Sequence, residues 1–428
     1  MSSRRTTPAG ARDRAAAAVG RLAGAASRAT RRGQGNTLPG LVAERLAPGV
    51  ARRRAARLDR VALVSGTNGK TTTTAMLAAA LAADGRRVVS NQTGSNLHRG
   101  LATALLRADS TAQDAVLEVD EAVLPRAVEE LRPRLLVLLN LTRDQLDRHH
   151  EVGGMTRRWR AAVARLDRAA EVVAGGADPR TAWVAQAAPH ALLVAPAHAR
   201  LGRDDAGCPR CGGLLREQPP GPYRCNRCGW APAPAAVVVE RDGHDVHLRG
   251  LGQRRATRLP VATDGYALDA AMAWTAALRL GADPLRALAA IAWLEAVQDR
   301  YASGSSDGTP VRLLLAKNPA GWDEALAAAT DRGRAAVVSV NGGGPDGRDT
   351  SWLWDVDLGA LRGRPQVVAT GDRAEDVAVR LQVAGVACSL VRPLGRAIAK
   401  AGGRGREVDL FADYTSFQLA RELIHRRG

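Results

Sequence analysis

The residues with the most chemistry per position are Ser65-Gly66-Thr67-Asn68-Gly69-Lys70-Thr71-Thr72-Thr73. An apolar strand, Val61-Ala62-Leu63-Val64, leads in, and a helix of small residues from about Thr72 to Asp84 leads out. Gly66 and Gly69 permit a tight turn that aims backbone N–H groups at a phosphate, and the helix N-terminus adds partial positive charge. Lys70 can reach terminal phosphates, and the Thr71 hydroxyl suits Mg²⁺. The Gly-x-x-Gly-Lys-Thr spacing is shorter than the general phosphate loop, but the preceding strand and the Lys-Thr pair set it apart from a bare glycine turn.

A second constellation is Cys208-Pro209-Arg210-Cys211 followed, after 13 intervening residues, by Cys225-Asn226-Arg227-Cys228. Two Cys-x-x-Cys knuckles, each followed by Gly, can set four thiolates in a tetrahedron around Zn²⁺. Four cysteine ligands leave no open coordination position, so the expected role is structural. Cys388, the fifth cysteine, lies in an apolar strand context and reads as inert.

Gly-Thr-Asn-Gly-Lys-Thr-Thr resembles the ATP loop of the Mur ligases, a family that includes folylpolyglutamate synthase and that activates a carboxylate as an acyl phosphate for attack by an amine. The resemblance implies ATP contacts at Gly66, Thr67, Asn68, Gly69, Lys70, Thr71 and Thr72. It places Mg²⁺ on Thr71 and on Glu118, at the tip of the apolar strand Asp114–Val119. The neighbouring Asp120 and Glu121 can alternatively open the helix that follows. Asn91–Asn96 is a polar loop at a strand's carboxyl end, near the substrate by the same likeness. Asp269 stands where the family usually has Asn. Arg300, at the domain junction, is the candidate arginine reaching ATP.

Four further features resemble one branch of that family, the MurT synthetase subunits of lipid II isoglutaminyl synthase. They are Asn140-Leu-Thr-Arg-Asp-Gln-Leu-Asp-Arg148, the four-Cys insert, Leu315-Ala-Lys-Asn-Pro319, and Asp349-Thr-Ser-Trp352. Gln145 takes the place of the family's His, and no lysine occurs between Lys70 and Lys317, so a carbamylated lysine cannot form there. Lys317 and Asn318 are expected at the nucleotide. The likeness implies ATP-dependent amidation of the α-carboxylate of D-glutamate in the lipid II stem peptide, giving D-isoglutamine. It implies ATP, Mg²⁺ and structural Zn²⁺ as cofactors, and ammonia from a GatD-type glutaminase partner in a heterodimer. Asp349, with Asp355 as the alternative, would orient that partner's catalytic histidine. The competing assignment is an amino-acid-adding Mur ligase or a folylpolyglutamate synthase-like ligase.

The elements that must hold these groups alternate strand and helix. At 428 residues and 46% hydrophobic content the chain can build more than one core. The expected fold is α/β: a Mur ligase-type central ATPase domain with an inserted zinc ribbon, then a smaller Rossmann-like C-terminal domain. The domains are set at 1–37 (a basic arm, helical over about 11–26), 38–300 (the ATP-binding domain, ribbon at about 205–232) and 301–428. That arm is too short for the UDP-substrate domain of a typical Mur ligase, in keeping with a lipid-linked substrate. Ser303–Gly308 reads as a turn or linker, and strands are expected near 258–261 and at 311–316, 335–340, 366–370, 387–391 and 407–411.

The net charge of +18 suits an anionic partner. Basic residues are not interleaved with stacking aromatics, which make up only 3% of the chain, so no nucleic-acid partner is expected. No apolar run approaches the ~18 residues of a membrane span, and no secretory signal is evident. The expected location is cytoplasmic and peripheral to the membrane, where lipid II would be met.

Overall fold

The computed structural model describes residues 8–29, 37–91, 95–108, 111–142, 152–198, 201–202, 205–218, 221–294, 301–343, 346–403 and 405–425. The chain divides into two compact units. The first comprises Met1–Leu141, Gly153–Leu259 and Tyr266–Leu294; the second comprises Thr142–Val152, Pro260–Gly265 and Glu295–Gly428.

The first unit is built on a sheet of nine strands. They are β1 (Arg60–Ser65), β2 (Val88–Ser90), β3 (Asp114–Glu118), β4 (Leu135–Leu138), β5 (Glu171–Gly175), β6 (Ala191–Pro196), β9 (Val237–Asp242), β10 (Asp245–Gly250) and β11 (Gln253–Arg258). A separate hairpin, β7 (Leu215–Gln218) with β8 (Gly221–Cys225), belongs to the four-Cys insert. The order across the sheet is β11-β10-β9-β6-β5-β4-β1-β3-β2. The strands from β2 to β6 run parallel to their neighbours, and β9, β10 and β11 form an antiparallel meander. The parallel strands are apolar along their length because helices cover both faces. Leu63, Val64, Leu136, Val137, Val172 and Val173 are fully buried.

The phosphate loop leaves the carboxyl end of β1, which lies between β4 and β3, and enters the helix Lys70–Ala83. A crevice at that edge is where parallel sheets place ligands. The meander corrects one expected strand: pairing ends at Arg258, and 259–261 lie outside the ladder.

The described residues ahead of the loop, 8–29 and 37–59, are a packed part of the unit. The helix Pro8–Ala29 lies on Leu38–Leu46 through Ala16, Ala17, Ala43, Ala47, Val50 and Leu106. Small residues permit the close crossing: a Cβ on Gly20 would lie 2.6 Å from Pro39 O, and one on Gly40 would lie 2.2 Å from Arg99 O. Asp13, 1% exposed, receives a two-pronged ion pair from Arg53 at 2.7 and 2.9 Å. A short helix, Val50–Ala55, follows and had no clear signature in the sequence.

The second unit has the six strands β12 (Tyr301–Ser306), β13 (Thr309–Leu315), β14 (Ala335–Ser339), β15 (Val367–Thr370), β16 (Ser389–Leu390) and β17 (Val408–Ala412). Their order is β12-β13-β17-β14-β15-β16, parallel except for β12 against β13. The stretch expected as a turn or linker is therefore the end of β12 with the turn into β13. Asp307 (φ 50°) and Gly308 (φ 79°) make the two-residue left-handed turn of a β-hairpin. Apolar layers cover both faces, one of them centred on Trp322 stacked on Phe411 at 5.3 Å. Within the sheet, fully buried Asp409 takes 2.8–2.9 Å contacts from Arg312, Arg334 and Arg364, which pair the charge that burial would otherwise penalise.

Candidate functional site

The loop is braced from a distance. Thr67 N donates to Asn140 O (2.9 Å), Asn68 N to Asn140 Oδ1 (2.9 Å), and Asn140 Nδ2 back to Asn68 O (3.1 Å). Ser65 Oγ donates to Val119 O (2.8 Å), tying β1 to the exit of β3. The glycines are required by geometry. Gly66 (φ 155°) has Leu139 Cβ at 2.8 Å from the place a Cβ would take, and Gly69 (φ 85°) has Asp269 Oδ1 at 2.2 Å. The latter contact puts Asp269, expected near the nucleotide, directly against the loop.

Lys70 is 9% exposed, and its Nζ donates to Gly66 O (2.5 Å) and Thr67 O (3.1 Å). It also pairs with both carboxylate oxygens of Glu121 at 3.3 Å. The helix expected to open at Asp120 or Glu121 begins at Leu124, so Glu121 serves as the lysine's partner. Trp159 Nε1 donates to Glu121 O (2.8 Å), fixing that backbone. Thr71 Oγ1 donates to Glu118 Oε2 (2.8 Å), and Asn96 Nδ2 to Glu118 Oε1 (3.1 Å). Asn91 grips the same residue's backbone through Glu118 N to Asn91 Oδ1 (2.8 Å) and Asn91 Nδ2 to Glu118 O (2.9 Å). A hydroxyl and a carboxylate in contact at the mouth of a phosphate loop are the hard oxygen donors that Mg²⁺ takes.

Beside this site, at the exit of β4, Asp178 is buried and accepts from Leu141 N (2.5 Å) and Arg180 N (2.8 Å). Arg180 Nη1 reaches Leu141 O (3.2 Å) and Asp205 (2.7 Å), and Tyr223 OH donates to Gly176 O (3.1 Å). Burial, then the nearby Asp205 charge, push the Asp178 carboxyl up to about 7. Asp205 and Tyr223 belong to the insert, so these contacts fasten it to the central sheet.

The four cysteines converge as expected. Cys208, Cys211, Cys225 and Cys228 Sγ atoms all lie within 4.8 Å of one another, with Cys208–Cys228 at 3.8 Å and Cys211–Cys225 at 3.5 Å. A tetrahedron with Zn–S of about 2.3 Å has edges of about 3.8 Å, so the set fits Zn²⁺. Gly213 N approaches Cys211 Sγ (3.4 Å), and Arg227 N and Cys228 N approach Cys225 Sγ (3.4 and 3.5 Å). The N–H groups of Cys228 and Arg227 pull the Cys225 thiol down to about 6. Cys388 is half-buried, and burial pushes its thiol up.

In the second unit Lys317 is half-exposed just past β13. Asn318 is 1% exposed and caps the helix Pro319–Ala328, accepting from Gly321 N (2.8 Å). Asp349 is half-exposed and accepts from Ser351 N (2.9 Å), and the Ser351 hydroxyl and N–H hold its carboxyl below the usual range. The motif continues as the 3₁₀ turn Ser351–Asp355, in which Asp355 is half-exposed. Trp352 packs on the core, whereas Trp354 is 59% exposed under the Arg380 guanidinium. Arg300, Gln145, His149, His150 and residues 92–94 lie outside the described residues. The sequence reading missed Asn140, Asn91 as a brace, the Lys70–Glu121 pairing and Asp178 with Arg180. Only the position of Asn140 after an apolar strand hinted at any of these.

Comparisons with known proteins agree with this geometry. Residues 64–190 match the family described as Mur ligase middle domain, and residues 315–417 match MurT ligase C-terminal. The chain is similar to the lipid II isoglutaminyl synthase (glutamine-hydrolyzing) subunit MurT of Streptococcus pneumoniae, 30% identical over 86% of this chain and 87% of that one. The subunit of that name from Staphylococcus aureus is 27% identical over 95% of this chain and 97% of its own. Among solved structures, a pseudomurein peptide ligase type C from Methanothermus fervidus gives a TM-score of 0.68 at 17% identity, covering 86% of this chain and 79% of that one. The MurF ligase of Thermotoga maritima in complex with ADP gives 0.63 at 16%, covering 89% and 83%. The expected α/β class, with a Mur ligase fold, a four-Cys cluster and a MurT-type C-terminal domain, therefore holds. By its motifs, its fold and its near full-length match to curated relatives, the chain belongs to the MurT family of Mur ligase-like subunits.

Proposed function

We propose that this chain is the synthetase subunit of a glutamine-hydrolysing lipid II isoglutaminyl synthase. It would use ATP to amidate the α-carboxylate of D-glutamate in the lipid II stem peptide, a step of peptidoglycan synthesis. The observation that carries the reading is the mouth of the phosphate loop, where Lys70 stands beside the contacting Thr71 hydroxyl and Glu118 carboxylate. It occurs in a chain of the MurT family.

The reaction balances in two steps. A substrate carboxylate oxygen attacks the γ-phosphorus of ATP, forming an acyl phosphate and breaking the bond to ADP. Ammonia then attacks the acyl carbon, loses a proton, and expels phosphate, leaving the amide. Lys70 would turn from Glu121 and the loop carbonyls to the terminal phosphates, offsetting charge that builds in transfer. The loop N–H groups would hold the phosphate chain, with Asn140 keeping their direction. Mg²⁺, when bound, neutralises phosphate charge; Thr71 and Glu118 would hold it. Lys317, Asn318 and Arg300 are assigned to the nucleotide by family likeness.

The cysteines are either in the zinc set or, for Cys388, held as the neutral thiol, so ammonia would come from a separate GatD-type glutaminase. Asp349, ionised at neutral pH, would orient that partner's histidine, with Asp355 as the alternative. Zn²⁺ would be structural.

The test is amidation of lipid II followed by mass spectrometry with the purified chain and ATP. With ammonium, a product about one mass unit lighter should appear as OH becomes NH₂. With glutamine alone, no product should appear. Attachment of an amino acid instead of ammonia would overturn the reading.

A further inference from the structure

The helix Pro8–Ala29 has two opposite faces. Gly10, Asp13, Ala16, Ala17, Gly20 and Gly24 are buried. At helical spacing on the other side, Ala11, Ala15, Val19, Leu22 and Ala26 are exposed, Val19 by 46% and Leu22 by 70%. Exposed arginines border this apolar stripe, Arg12 along one side and Arg14 and Arg21 along the other.

The border is strongly cationic. Arg14 and Arg57 converge at the edge of the packed face, beside buried Gly10, where a Cβ would lie 3.8 and 3.9 Å from their guanidinium nitrogens. Burial and then the positive field of Arg57, Arg21 and Arg14 hold Arg54 below the ordinary guanidinium range. Arg12 Nε donates to Leu46 O (3.0 Å), and Leu46 is itself 45% exposed beside the stripe's flank.

We propose that this face docks in the plane of an anionic phospholipid bilayer. Val19 and Leu22 would enter the acyl boundary, while Arg12 and Arg14 reach headgroup phosphates and Arg21, whose Nη1 donates to Leu106 O (3.4 Å), adds positive field at the margin. The arrangement favours a bilayer over nucleic acid, because the centre of the face is apolar and non-aromatic while the cations lie at its edges. A phosphate backbone calls for cations in the centre and bases call for stacking rings. An interfacial helix needs an apolar strip with basic margins whose stems can snorkel. The proposal is independent of the reaction above.

The experiment uses the full chain with phosphatidylglycerol–phosphatidylcholine vesicles and with pure phosphatidylcholine vesicles, read by co-sedimentation at about 0.1 M salt. Binding is expected to the anionic vesicles only and to weaken with salt. Val19→Glu with Leu22→Glu should weaken it at least about tenfold, and Arg14→Gln with Arg21→Gln about tenfold. Zinc content and the thermal transition report folding; if the glutamate pair disturbs them, Leu22→Ser takes its place. No binding to anionic vesicles, or binding indifferent to the apolar substitutions, overturns the proposal. Tighter binding to a short DNA duplex, lost with the arginines but kept with Val19→Glu and Leu22→Glu, overturns it in favour of a nucleic-acid surface.

Discussion

At the scale of single residues, the site is a set of groups that geometry leaves little freedom to replace. Gly69 holds a left-handed backbone, and a Cβ there would run into Asp269 Oδ1 at 2.2 Å. Gly69→Ala should therefore abolish ATP binding by calorimetry, while zinc content stays at one ion per chain. Lys70→Ala should lower ammonium-dependent amidation by roughly 100-fold or more, the scale on which one preorganised charge contributes to phosphoryl transfer. Nucleotide-independent properties should change less, because the substitution also strands Glu121, which water at the loop mouth can reach. The loop and the knuckles were legible in the sequence because their parts are local: glycine, lysine and threonine within nine residues, and cysteines three apart. The braces were not. Asn68 and Asn140 are 72 positions apart, and Lys70 and Glu121 are 51 apart, so nothing in either neighbourhood reports the other.

At the scale of elements, composition says less than packing about two stretches. Arg- and Ala-rich residues 1–37 looked like an arm, yet small residues at Gly20 and Gly40 let helices cross closely and make a core of alanines. Ser303–Gly308 reads as a turn or linker; the turn is at Asp307-Gly308, and the residues before it complete β12. The insert is the element built around the four-Cys set. Chelation should remove its zinc and collapse the β7–β8 hairpin while the nine-stranded sheet survives, seen as loss of amide-exchange protection confined to about 205–232. Cys225→Ser should do the same without chelator. Asp178 accepts from Leu141 N beyond β4 and pairs with Arg180, which in turn pairs with Asp205 of the insert, and its pH dependence has a defined sign. Its folded pKa, about 7, lies above the ordinary value, so the fold favours the protonated form. That contribution is complete below pH about 4 and is lost as pH rises through about 7. Denaturation midpoints of Asp178→Asn should therefore change less between about pH 4 and about pH 7 than those of the parent chain.

At the scale of the whole molecule, the account divides labour between this chain and a partner. Synthetase chemistry would belong to the first unit's phosphate loop, and the second unit carries half-exposed Asp349 just before, and exposed Trp354 within, the 3₁₀ turn Ser351–Asp355, a combination suited to an interface. Among the described residues no helix is long and apolar enough to cross a membrane. The fold class was legible from strand–helix alternation. The role of the second unit came only from resemblance, because a half-exposed aspartate whose counterpart is on another chain leaves no trace in its own packing. The most direct measurement of the central claim is lipid II amidation by the parent chain and by Asp349→Asn, each with the glutaminase partner, supplied with either ammonium or glutamine. The account predicts that Asp349→Asn keeps full activity with ammonium and loses nearly all of it with glutamine. Equal activity with both nitrogen sources would contradict it, as would loss with ammonium while the fold and zinc content are intact.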